Sequence, residues 1–103
     1  MEVKTMAEKL KVGDYIYVSY WNMVDRVKEI RTGVPIWGTE YVVEQITPVN
    51  SADIDRIGRI RTHSTKIGRG DKIVNMNEVA EFVDKHEFKE AILTKFPELR
   101  RKI

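Results

Sequence analysis

The chain has 103 residues, 42% of them hydrophobic and 33% charged, with no cysteine and a net charge of +2. That length suits one domain and excludes a two-domain cleft enzyme, while the apolar fraction excludes a disordered chain. No apolar run nears the roughly 18 residues of a membrane span, and without cysteine there is no disulfide, thiolate metal site or cysteine nucleophile. The opening residues mix Glu2, Lys4, Glu8, Lys9, Lys11 and Asp14. They hold no signal-like apolar core, so the expected address is the cytoplasm.

In chain order, Thr5-Met6-Ala7-Glu8 has the form of a capping box for one helical turn. Val12-Gly13-Asp14 reads as a turn into a strand over Tyr15 to Trp21. There Ile16, Val18 and Tyr20 share one face, and Tyr15, Tyr17, Ser19 and Trp21 share the other. Met23, Val27 and Ile30 recur at i, i+4 and i+7, with Asn22 as a cap and Gly33 as a stop. This spacing predicts a short helix, although Val24 and Ile30 also share a strand face. Thr39 to Thr47 reads as a strand, with Tyr41 and Val43 opposed to Val42 and Ile46. Pro48 ends it or marks an edge. Ser51 to Arg56 reads as loop with at most one helical turn. Arg59 to Thr62 and Lys72 to Met76 read as two strands joined by a long hairpin loop, His63 to Asp71, containing Gly68 and Gly70.

Beyond residue 75 the chain has no glycine and reads as helix. Asn75-Met76-Asn77-Glu78 supplies a capping box. Val79, Phe82, Val83 and His86 form one stripe, and Phe88, Ile92, Phe96 and Leu99 form another. The two stripes point in directions that one straight helix cannot bury on a single sheet. A break is therefore expected over Asp84 to Glu87, a stretch that itself has the form of a second capping box, and Pro97 begins a last turn. The expected architecture is α+β: a small, mostly antiparallel sheet or SH3-like barrel followed by two carboxy-terminal helices. It forms a single domain over 1–103, with a β-rich unit over 1–75 and a helical tail over 76–103 packed on it. The expected core is Ile16, Val18, Val42, Ile60, Ile73, Val79, Phe82, Val83, Ile92 and Phe96.

The residue types needed for catalysis do not converge. His63 and His86 lack any metal-ligand spacing, and His63-Ser64 adjacency cannot form a nucleophile dyad. Asp53-Ile54-Asp55 followed by Gly58 fails the calcium-loop pattern at Ile57 and Ser64, and Gly68-Arg69-Gly70 lacks the lysine and hydroxyl of a phosphate loop. The expectation is a protein that is not an enzyme, with no metal and no cofactor.

Charge is segregated. Residues 1–55 carry six basic and nine acidic side chains, and residues 73–103 carry six of each. Between them, Arg56, Arg59, Arg61, Lys66, Arg69 and Lys72 face only Asp71, a local net charge of +5. Long cationic side chains with few nearby acids are what phosphate neutralisation needs. Arg59 and Arg61, two apart, would project from one strand face, with Ile60 turned to the core. The leading expectation is a nucleic-acid-binding ribbon that contacts DNA or RNA mostly through phosphates. The alternative is a protein-interaction module or assembly subunit, with a protein partner or a second copy as its target. Tyr15, Tyr17, Trp21 and Trp37 would then form a stacking or anchoring surface, unless the helical tail covers them, or the tail itself would serve. A membrane is not expected as a partner.

Overall fold

The computed structural model describes residues 10–36, 38–64 and 70–100. The capping box expected at Thr5–Glu8, and the candidate residues Trp37, Lys66 and Arg69, lie outside those residues. Five strands, β1 (Tyr15–Val18), β2 (Met23–Val34), β3 (Gly38–Gln45), β4 (Ile60–Ser64) and β5 (Lys72–Val74), form one antiparallel sheet in the order β4-β3-β2-β1-β5. Helices α1 (Met76–Asp84) and α2 (Lys89–Lys95) follow, then a 3-10 turn at Pro97–Leu99. The α+β architecture with two carboxy-terminal helices is thus as expected, but the sheet is open: β4 and β5 do not pair with one another, and an SH3-like barrel is not formed.

The segment expected to be a helix is the longest strand. β2 pairs with β1 through Met23 to Arg26 and with β3 along nearly its whole length. A register shift lies between Val27 and Glu29, so Lys28 is an extra residue opposite β3. Such a bulge inverts the alternation of side chains beyond it. Met23 and Val27 share a face by the ordinary period of two. The bulge returns Ile30 to that same face, and all three join one apolar cluster. The i, i+4, i+7 spacing is therefore a strand with a bulge. Gly33, expected to stop a helix, instead takes a φ of +71° at a second irregularity of the same ladder.

The expected β4–β5 hairpin is also absent. Successive antiparallel pairings across the sheet leave β4 and β5 running in the same direction at opposite edges. Two such strands cannot be the arms of a hairpin, whose strands must run antiparallel and adjacent.

Both faces of the sheet bury apolar side chains. Tyr15, Val24, Ile46 and Val74 pack on one face against Val79, Val83, Ile92, Leu93, Phe96 and Leu99 of the helical tail. Ile16, Val18, Met23, Val27, Tyr41 and Val43 pack on the other, with Leu10 from the segment before β1. Of the expected core, Ile73 and Phe82 are only partly covered, and Ile60 is 52% exposed. Ile60 begins an edge strand, where the helical layer no longer covers the sheet.

The tail breaks where its two apolar stripes require. Asn75 Oδ1 accepts the Glu78 N–H at 2.8 Å and Glu78 Oε1 accepts the Asn75 N–H at 3.1 Å, the reciprocal box that starts α1. The second expected box is not made. The Phe88 N–H instead donates to His86 Nδ1 at 3.0 Å, and Asp84 pairs with Lys89 at 2.8 Å.

Candidate functional site

The first strand run ends sooner than its composition suggests, because the chain turns at Ser19 to Asn22. Asn22 adopts a φ of +49°, a left-handed conformation that asparagine tolerates better than most residues. Its Oδ1 accepts the Tyr17 hydroxyl at 2.6 Å. Asp71, just before β5, accepts the Ser19 N–H at 2.8 Å and the Ser19 hydroxyl at 3.1 Å, which anchors the start of the turn. Gly70 permits that approach, since a Cβ there would stand 2.9 Å from Ser19 Oγ.

This turn divides the expected aromatic surface. Tyr15 and Tyr17 face the helices: Tyr15 is buried, and Tyr17 meets Phe82 edge-to-face with centroids 5.9 Å apart. Arg26 lies over the Tyr15 ring at 5.6 Å, and burial pushes the Tyr15 phenol above its ordinary range despite that cation. These two rings are core and its margin, not an open platform. Trp21 remains outside, 51% exposed, with the exposed Tyr20 edge-to-face against it at 4.8 Å.

The basic segment is divided as well. Arg61, expected to be exposed, is half-buried, and its Nη2 sits 2.5 Å from Oδ2 of Asp25, a carboxylate only 1% exposed. Arg56 Nε lies 3.3 Å from Asp53 Oδ1. Asp53 also accepts Gln45 Nε2 at 2.6 Å and the Val49 N–H at 3.1 Å, tying the loop after β3 to the 3-10 helix Ser51–Arg56. Two of the six basic candidates thus serve pairs within the fold. Arg59 and Lys72 are exposed, but they stand at opposite edges of the sheet and form no single ribbon. Asp25 and Gln45 were not singled out from the sequence as site residues, and Asp53 was met only in the rejected calcium-loop pattern. Asp25 alone left a local trace, as a carboxylate within the apolar Met23–Val27 run.

Around Trp21 the surface is concave. A pocket of about 380 Å³ is lined by Trp21 together with Met23, Gln45, Val49, Arg56 and Arg61. A second, of about 580 Å³, also has Trp21 and Val49 in its walls, with the Phe82, His86 and Phe88 side chains. A third, of about 430 Å³, shares Asn22, Glu78 and Phe82 with the second and is bounded by Tyr17, Lys72 and Val74. The second shares lining residues with both others and is therefore the central part of the concave surface around Trp21, while Arg56 and Arg61 line the first and Lys72 the third. That central part carries the carboxylates of Glu78, Glu81 and Glu87 against the single ammonium of Lys85.

His86 organises this central part. Its Nδ1 accepts from Phe88, and its ring is within hydrogen-bonding reach of the Pro48 backbone, which offers only a carbonyl. It also packs between Phe82 and Phe88, at centroid distances of 5.7 and 5.9 Å. Burial lowers its pKa below the usual 6.5, against opposing effects of Glu87 and the Pro48 carbonyl.

Among the described residues, no group of three or more His, Asp or Glu could hold a metal ion, and no helix is long and apolar enough to cross a membrane. No protein-family model matches the chain, and neither does any curated protein or solved structure.

Proposed function

We propose that the protein is a non-enzymatic interaction module that holds an extended segment of a partner protein across the groove centred on Trp21. The observation that carries this reading is the half-exposed indole shared as a wall by two adjoining concavities. Tryptophan beside a pocket is the side chain most often found to anchor a protein interface. Nucleic-acid binding is less well served. A phosphate backbone following the aromatic side chains would cross the carboxylates of Glu78, Glu81 and Glu87, and Arg56 and Arg61 already have acidic partners.

Random linear peptides displayed on phage, selected in parallel on the wild type and on Trp21→Ser, test the reading. Peptides enriched on the wild type and lost on the variant are the expected result. Fluorescence polarisation with labelled single-stranded DNA, duplex DNA and RNA at about 50 mM salt is the competing arm, since phosphate contacts are strongest there. The absence of any Trp21-dependent peptide would overturn the proposal, and tight, salt-sensitive nucleic-acid binding that Trp21→Ser leaves unchanged would put the phosphate reading in its place.

A further inference from the structure

We infer that the segment held in the central part of the groove presents an apolar side chain flanked by lysine or arginine. This inference rests on the interaction-module reading and adds the chemistry of the partner.

The walls of the central part are Trp21, Val49, Phe82 and Phe88. Such walls hold a partner only by removing apolar surface from water, so an apolar side chain must enter. The rim supplies the sign of its neighbours. Glu81 is bound to Lys85 at 3.1 Å, but both side chains are well exposed, and an exposed i, i+4 pair is weak enough to exchange for an incoming cation. Glu87 is exposed and has no ion pair among the described residues. Glu78 turns one carboxylate oxygen to the Asn75 N–H. His86 does not offset these groups, because its ring is neutral when Nδ1 accepts from Phe88. An acidic segment would therefore meet net repulsion, whereas a basic one finds a complementary rim. Lysine and arginine also suit the walls, since their aliphatic stems can lie along Trp21 and Phe88 while the charged heads reach the rim.

A free metal cation fits poorly, because no cluster of three ligating side chains exists among the described residues. Duplex or single-stranded nucleic acid has the wrong charge for this rim. A basic peptide segment is the occupant that satisfies both the walls and the charge.

The test uses the same displayed peptide library on three proteins: wild type, Glu81→Lys/Glu87→Lys, and the milder Glu81→Gln/Glu87→Gln. All four new side chains stand on exposed positions, and thermal melting of each variant checks folding. Wild type should enrich peptides in which lysine or arginine brackets an apolar residue. Their affinity should fall about tenfold on the double reversal and by less on the double amide, and raising salt from about 50 to about 500 mM should weaken wild-type binding. The double reversal should in turn enrich aspartate or glutamate at the bracketing positions. Trp21-dependent peptides with no basic preference, or with affinity unchanged by the double reversal, would overturn this inference and leave the interaction module standing. If no Trp21-dependent peptide is found on the wild type, both fail together.

Discussion

The aromatic run Tyr15–Trp21 is continuous in sequence but divided in space. Tyr15 is 5% exposed and packs beneath the helices, whereas Tyr20, five residues on, is 83% exposed and Trp21 half so. Composition does not separate them. What does is the Ser19–Asn22 turn, which carries the second pair beyond the helical layer. The arginines divide in the same way: Arg61 reaches the buried Asp25, and Arg59, two residues earlier, remains in water. Residue type therefore shows what a side chain can do, and its place relative to the covering layer shows whether it is available to do it.

The largest expected effects break the buried half of each pair. Tyr15→Ala should destabilise the fold by about 3–4 kcal/mol in urea denaturation, the cost of emptying an aromatic site in a core that cannot fully collapse. A loss below about 1 kcal/mol would mean that Tyr15 is no more structural than Trp21. Arg61→Glu places a second carboxylate against Asp25 and should cost about 2 kcal/mol, reduced from the fully buried range because Arg61 is about a third exposed. Arg59→Glu should stay within about 0.5 kcal/mol of wild type, as surface substitutions do. Equal losses for the two reversals would remove the distinction between them.

The boundary between the halves is tested by Tyr17→Phe, which deletes the 2.6 Å hydrogen bond to Asn22 and leaves the ring in place. A cost of about 1 kcal/mol is expected, and Trp21 fluorescence should report a looser turn. A smaller effect should come from acidification. Because burial lowers the pKa of His86 in the fold, the unfolded chain binds more protons, so stability should fall as pH drops below about 6.5. The loss should continue down to the lowered folded value and then level off. His86→Gln should flatten the dependence of the denaturation midpoint between about pH 7.5 and 5.5, around the imidazole's own titration range. Smallest of all, Trp21→Ser should change stability by less than about 0.5 kcal/mol. A larger loss would make Trp21 part of the core and remove the support for a free docking surface.

Much of the fold was legible where the signal is local. The faces of β1 and β3, the capping box at Asn75 and Glu78, and the break before Phe88 all follow from side-chain periodicity within a few residues. β2 was misread for a reason that is also local in origin. The extra residue at Lys28 converts the period of a strand into the spacing of a helix, and only pairing with β3 distinguishes the two. The basic ribbon failed at longer range. Charge counted along residues 56–72 treats β4 and β5 as neighbours, but pairing sends them to opposite edges.

By itself, then, the sequence determined the kinds of element other than β2, and which side chains within those elements share a face, because both depend on backbone geometry over one or two turns or a few pleats. Only the tertiary structure decided strand order, the pairing of Arg61 with Asp25, the cover over Tyr15 and Tyr17, and the groove at Trp21. Each of those joins residues far apart in the chain. Its free energy comes from burying apolar surface and satisfying charges across the whole fold, and no periodicity records that.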